Sequence, residues 1–244
     1  MVLLFHIRVR FAQSNGTYGS PRMHVDLRED GLVVGRHRTA RLMRDNALKA
    51  NQKWRFSKTT DSNHAGPVVA NLLDQDFACD GPDQKWGVDI SYVWTAEGWL
   101  YLAIVLDLFS RRIIGWAVRD RLKKELALAA LRRTIAVRNP GAGFIHHSDR
   151  GSQYCSYDYQ RLLKVCNMLP SMSGKGNCYD NARVESVFKT IKSEMVWRTG
   201  FQTRRHAEIA IRRYIDGFYN PTRRHSALGY KAPIAFEASI AKTV

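Results

Sequence analysis

The chain has 244 residues, 45% hydrophobic and 25% charged, enough apolar material for one sizeable core and a small satellite. Its 38 Lys+Arg against 22 Asp+Glu give +16 and a pI near 10.0, a surplus that favours a polyanionic partner and excludes none of nucleic acid, ribosomal RNA and anionic lipid. No stretch approaches the roughly 20 apolar residues of a membrane span, so no membrane association is expected. Met1 to Phe5 are apolar, but His6, Arg8 and Arg10 follow at once, which makes neither a signal peptide nor an anchor. Cys79, Cys155, Cys166 and Cys178 are scattered with no CxxC pair; they read as free thiols of a reducing cytoplasm rather than as disulfides or a zinc site.

In chain order, residues 1–60 carry 12 Lys/Arg against 4 Asp/Glu, net +8, with little alternation. Pro21 starts a predicted helix to about Asp30, residues 31–35 read as a turn, and Arg36 to Asn46 as a second helix bearing Arg36, Arg38, Arg41 and Arg44. Two short helices across a Gly-containing turn suit a helix-turn-helix-like, DNA-binding segment. A solvated basic hairpin has the same pattern. Polar sequence follows, giving a basic segment at 1–60 and a linker at 61–80.

Between 81 and 200 the pattern changes. Trp86 to Trp94, Gly98 to Phe109 and Arg111 to Val118 read as three strands of an antiparallel meander. Lys123 to Val137 has helical spacing, with Leu126, Ala130, Leu131 and Ile135 on one stripe. A strand (Gly143 to Ser148), a helix (Tyr157 to Val165), a short strand (Met168 to Met172) and a helix (Asn181 to about Trp197) complete the region. This is the order of a ribonuclease H-like α/β fold, a mixed five-stranded sheet with helices, although other α/β folds share pieces of it. Residues 201–244 read as a basic C-terminal helix (Thr203 to about Tyr219) and tail; between 181 and 231 there are 11 Lys/Arg and 4 Asp/Glu, net +7.

Three acids stand out. Alternation places Gly87, Asp89 and Ser91 on one face of the first strand, opposite Trp86, Val88, Ile90 and Tyr92. A carboxylate there is costly unless paired or bound to metal. Asp149 closes the fourth strand, and Glu185 lies beside the apolar stripe of Val184, Val187, Phe188, Ile191 and Met195. Converging over a sheet, these acids make an oxygen-ligand site for magnesium or manganese, and two such ions suit phosphodiester chemistry. Each acid also has a structural alternative: an arginine pair for Asp89, a turn cap before Gly151 for Asp149, an exposed helix position for Glu185. Asp107, also in a buried strand, is assigned a turn or pairing role, and His147 either touches substrate or makes a structural hydrogen bond.

The spacing and the surrounding words decide between these. Thirty-five residues separate Asp149 from Glu185 and 59 separate Asp89 from Asp149, which resembles the D,D(35)E signature of retroviral integrases and insertion-sequence transposases. Trp86 to Tyr92, Tyr101 to Trp116, His147 to Tyr154 and Asp180 to Ser186 all resemble the OrfB-type transposase of two-frame bacterial insertion sequences, and the similarity runs from Gly16 to about Pro233. The resemblance implies a DDE transposase that cleaves and joins DNA at insertion-sequence ends, with Asp89, Asp149 and Glu185 as catalytic metal ligands for two Mg2+ or Mn2+ ions. It implies DNA contacts from Lys189 and Lys192, four and seven residues after Glu185 and so on its helix face. Tyr219-Asn220-Pro221 with Arg223, Arg224 and His225 matches the family's C-terminal signature, with DNA contact or packing as its role. Implied partners are the terminal inverted repeats and target DNA, further copies of the chain assembled on DNA, and the OrfA product, free or fused. The implied location is the bacterial cytoplasm, in association with the nucleoid.

The chain lacks the His-His-Cys-Cys module of retroviral integrases, and Ser91 stands where the family often has Thr. From its start it is expected to be the OrfB product alone or a shortened copy. The rivals are a ribonuclease H-like nuclease that never joins DNA and a non-catalytic DNA-binding remnant.

Overall fold

The computed structural model describes residues 2–50, 68–174 and 177–241, without the side chains of Cys178 and Ala241. The linker expected at 61–80 lies outside the described residues up to residue 67.

Five strands form one mixed sheet: β1 (Lys85–Thr95), β2 (Gly98–Asp107), β3 (Ile113–Arg119), β4 (Ile145–Ser148) and β5 (Leu169–Met172), in the order β3-β2-β1-β4-β5. The first three are the antiparallel meander that their β-branched runs predict, and β4 and β5 add in parallel on the other side of β1. β2 lies between β3 and β1 and is buried along most of its length, which explains why it is apolar on both faces. Of the eight helices described, α4 (Lys124–Arg138) and α5 (Tyr157–Val165) cover one face, packing with Trp86, Val88, Ala103 and Val105. α6 (Ala182–Glu194) and α7 (Arg204–Tyr214) cover the other, packing with Val93, Leu102, Ile104 and Leu106.

The N-terminal segment is three helices rather than the two expected: α1 (Val2–Gln13), α2 (Ser20–Glu29) and α3 (Arg36–Asp45). α1 escapes a periodicity reading because its apolar residues surround the helix and Ile7 is its only buried side chain. Ile7, Met23, Leu27 and Met43 join the cluster formed with α6 and α7, so the basic segment packs directly on the core. The C-terminal helix expected to reach Tyr219 is α7 continued by a π-helical turn at Ile215–Tyr219. The helix expected to reach Trp197 stops at Glu194, and Val196–Arg198 form a 3-10 turn. A further helix, α8 (Pro233–Ala241), was not expected from the sequence. No described helix is long and apolar enough to cross a membrane. Cys79, Cys155 and Cys166 are free thiols.

Candidate active site

The parallel ladder between β1 and β4 pairs Lys85 with Ile145, Trp86 with His146 and Gly87 with His147. Extended by two residues, that register brings Asp149, just past the end of β4, level with Asp89 on the neighbouring strand. Adjacent strands lie about 4.8 Å apart.

The third acid arrives through close packing. An ideal Cβ on Gly87 would stand 2.6 Å from Val184 Cγ2 and 3.0 Å from Leu108 Cδ2, so only glycine lets the first turn of α6 settle onto β1 at this point. Asn181, at the start of α6, donates through Nδ2 to the Val88 carbonyl at 3.4 Å. Val184 is therefore seated over Gly87, and Glu185, the next residue, is exposed at the helix start beside the acidic pair.

The electrostatics agree with that placement. Asp89 is held well above the usual carboxylate range, first by burial and then by the negative charges of Asp149 and Glu185. Its own Ile90 N–H, donating to Asp89 Oδ1 at 2.7 Å, and the Lys192 ammonium act the other way. Glu185 is raised by desolvation and then by Asp149. Lys192, half-buried, is lowered by desolvation, and Asp89 opposes that shift. Asp149 also caps the turn that follows it, its Oδ1 accepting the Gly151 N–H at 2.9 Å. Placed in this way, no three His, Cys, Asp or Glu side chains among the described residues are gathered tightly enough to hold one ion between them. The three acids share one field without meeting.

Other expected residues separate cleanly. Asp107 fixes the β2–β3 turn: its Oδ1 accepts Ser110 N–H at 2.8 Å and Ser110 Oγ–H at 2.9 Å, and its Oδ2 accepts Asp83 N–H at 2.7 Å. His147 is buried between the Ser171 and Ser173 hydroxyls at 2.9 and 3.1 Å, and burial pushes it down to about 4. Arg36, Arg38, Arg41 and Arg44 on α3 are exposed, as is Lys189.

Arg223 and Arg224, the remaining candidates for DNA contact, are engaged within the protein. Arg223 is buried in a two-point ion pair with Glu194, at 2.8 and 2.7 Å. Arg224 pairs with Asp26 and Glu29 of α2. The structure thus takes the packing alternative for both, because their carboxylate partners are supplied by elements distant in sequence.

Two buried polar atoms near the acids were not singled out in the sequence. Tyr154 Oη and Asn181 Oδ1 have no hydrogen-bond partner among the described residues. The Tyr154 phenol is raised well above its ordinary value, first by burial and then by Asp89. Both residues stand in the quoted words His147–Tyr154 and Asp180–Ser186, yet nothing in their residue types marks them as lacking partners. A cavity of about 430 Å³ opens elsewhere, at the β3 edge between Arg112, Trp116, Arg133 and Arg212; none of the three acids lines it.

Residues 80–178 and 167–233 match families described as Integrase core domain, and residues 3–56 match one described as HTH-like domain. A 31 kDa protein of insertion element IS600 from Shigella sonnei is 47% identical over 234 residues, 96% of this chain and 86% of its own length. Transposase InsF of insertion sequence IS3A from Escherichia coli (strain K12) is 44% identical over 227 residues, 93% of this chain and 79% of its own length. The chain belongs to the insertion-sequence transposases. Its core fold is shared with a chain of the simian T-cell lymphotropic virus intasome solved with the PP2A regulatory subunit B56 gamma. That match has 12% identity and a TM-score of 0.54, over 90% of the transposase and 70% of the other chain. The transposase is thus an integrase-core enzyme of DNA transposition, with a ribonuclease H-like sheet and an HTH-like segment packed against it.

Proposed function

We infer that Asp89, Asp149 and Glu185 are the catalytic carboxylates with which this transposase cleaves insertion-sequence ends and joins them to a second phosphodiester. The observation that supports this reading is the β1–β4 register, which continued by two residues sets Asp149 level with Asp89, together with the Asp149 and Glu185 charges that raise Asp89. The donor set fits hard divalent cations: all three groups are carboxylates, and burial, followed by the charges of the neighbouring acids, raises Asp89 and Glu185. When bound, two magnesium or manganese ions supply charge relief at phosphorus and an activated attacking oxygen.

The protein's own part is positioning. Asp89 and Asp149 are fixed by neighbouring backbone, while Glu185, exposed on the first turn of α6, has the freedom to complete the set. Water attacks the phosphodiester at the element end and frees a 3′-hydroxyl, which then attacks a second phosphodiester in line. Lys192 beside Asp89, and Lys189 one turn earlier, hold the DNA backbone near the acids, while Arg36, Arg38, Arg41 and Arg44 of α3 grip the duplex elsewhere. Joining requires two ends at once, so the active form is an assembly of several copies on DNA at the bacterial nucleoid. The OrfA product, separate or fused, contributes to end recognition.

The test is cleavage and joining of the element's own terminal repeats with magnesium or manganese, against Asp149→Asn. Loss of both steps in the variant is expected, at roughly 10³-fold or more for a charge that acts on the transition state. Equal activity in the variant overturns the assignment. Cleavage without joining by the native chain would favour the simple nuclease.

A further inference from the structure

The β1–β2 hairpin projects beyond the acids and carries an aromatic face that the core does not use. Tyr92 lies opposite Tyr101 and Trp94 opposite Trp99 in the antiparallel register. The Trp99 ring meets Tyr92 and Trp94 edge-on, with both centroid separations 4.8 Å. Yet Trp94 is 58% exposed and Trp99 42%. Large aromatic side chains left this open on a strand pair are a recognition feature more often than a packing one.

The hairpin is held rigid from behind by groups other than these rings. Thr95 Oγ1 donates to the Gly98 carbonyl at 2.7 Å, and Ala96 N–H donates to the Phe201 carbonyl at 2.9 Å. Arg204 donates through its backbone N–H to Glu97 Oε2 at 2.8 Å and through Nε to the Trp99 carbonyl at 3.1 Å. Gly98, with φ of +102°, makes the tight turn. Cross-strand aromatic pairs stabilise hairpins, but this one is already fixed by its ladder and by the 201–204 segment. The exposed indoles are thus preorganised, and occupying them costs little ordering entropy.

Position and charge identify the occupant. Tyr92 and Trp94 follow Asp89 on the same strand by three and five residues, a span of up to about 17 Å, and the odd offsets turn their side chains to the sheet face opposite Asp89. The Lys192 ammonium bridges the two regions: it feels Asp89 and lies 4.8 Å from the Tyr92 ring centroid. Arg119 stands opposite Tyr101 on the next strand and is exposed. Aromatic faces interleaved with cations bind nucleotides by stacking plus phosphate contact. Bases of an intact duplex already cover one another's faces, so the face fits unpaired bases.

We propose that Trp94 and Trp99, with Tyr92 and Lys192 at their edge, form a stacking platform for unpaired nucleotides of the DNA strand that runs past the carboxylates. This rests on the DNA-processing reading above and adds the part of the substrate that the hairpin takes.

The test uses the native chain in EDTA, so that binding is read without chemistry. The probes are a fluorescein-labelled duplex with an oligothymidine 3′ extension and the same duplex blunt. The extended probe is expected to bind roughly tenfold more tightly, a difference of about 1.4 kcal/mol. Trp94→Ala with Trp99→Ala removes that advantage, whereas Trp94→Phe with Trp99→Phe retains it. The slope of log affinity against log salt stays the same, since no phosphate contact is removed. Acrylamide quenching of native indole emission, which needs no variant, is reduced by the extended probe and not by the blunt one. Equal affinity for the two probes, or an advantage that survives the alanine changes, overturns the proposal. So does protection from acrylamide that grows with protein concentration without DNA, which marks the hairpin as a contact between copies. Failure of the catalytic assignment reads out separately, as undiminished cleavage by Asp149→Asn, and leaves these metal-free measurements standing.

Discussion

Gly87 offers the sharpest test of how the sheet positions the chemistry. A methyl group there would lie 2.6 Å from Val184 Cγ2 and 3.0 Å from Leu108 Cδ2. Val184 and Leu108 are 1% and 3% exposed, so neither can swing into solvent. Carbon atoms prefer separations of about 3.5–4.0 Å, so Gly87→Ala must lift the first turn of α6 by about 1 Å. Overpacking of this kind costs about 1–3 kcal/mol, which a domain with roughly 5–15 kcal/mol of stability tolerates. Activity suffers more, because Glu185 follows Val184 and a displacement of about 1 Å at a reacting centre costs on the order of 10²-fold. The expected result is a folded variant with cleavage of terminal-repeat DNA reduced about a hundredfold. Adding Val184→Ala removes the clashing Cγ2 and should restore most of the rate while leaving a stability deficit. Gly115→Ala is the contrast: its Cβ would meet Thr134 Oγ1 at 1.8 Å and the Ala130 carbonyl at 2.9 Å, under α4 on the other face of the sheet. That change should lower the melting temperature without touching α6. Full cleavage by Gly87→Ala, or no recovery in the double variant, would refute the idea that this glycine sets the height of α6.

Glu194→Gln leaves the Arg223 guanidinium buried and half-paired, at a cost of about 3–5 kcal/mol; thermal melting should fall by roughly 6–20 °C for a chain of this size, and a shift of a degree or two would show the pair to be dispensable. Acid should destabilise the fold early. Burial holds His146 down to about 3, His147 to about 4 and His225 to about 2, so all three remain neutral in the folded state above about pH 5 while the unfolded chain binds protons below about pH 6.5. Stability therefore falls as pH drops, by about 1.4 kcal/mol per pH unit for each histidine, until the folded values are reached. Urea titrations between pH 7 and 5 should show that slope, and His225→Gln should remove about a third of it. Replacing Arg36, Arg38, Arg41 and Arg44 together by Ala should reduce the log affinity–log salt slope for duplex DNA by up to about 3.6, at about 0.9 per phosphate contact; an unchanged slope would take α3 out of the DNA interface.

The elements with a strong local signal were legible before any coordinates. β1, β2 and β3 are long β-branched or aromatic runs, α4 and α5 have clear apolar stripes, and the expected boundaries of α5 match the structure residue for residue. α1 and α8 were missed for a shared physical reason: their apolar residues do not fall on one stripe, and their place is decided by contacts with other parts of the chain. α8 in particular is tied down by Glu237, which accepts hydrogen bonds from Arg112, Arg138 and Ser110. The three acids were singled out by alternation, spacing and the family resemblance. What carries Glu185 toward the other two was not legible, since it depends on Gly87 admitting Val184, 97 positions later in the chain.

Charge shows the same limit of a sequence reading. A net +16 invites the view that every arginine near the chain ends is available to DNA. The structure divides the cations into two populations. Arg223 and Arg224 join Glu194, Asp26 and Glu29 across α6, α2 and the C-terminal segment, and Arg112 and Arg138 converge on Glu237. These ion pairs bind the basic segment and α8 to the core, and their positive charge is largely neutralised where it lies. The cations of α3 and Lys189 of α6 lie at the surface instead. Lys192 is half-buried, where its ammonium feels Asp89 and lies 4.8 Å from the Tyr92 ring centroid. The paired arginines tie α2, α6 and the C-terminal segment together, so the ion pairs that use up these charges are the ones that fix the basic segment on the core.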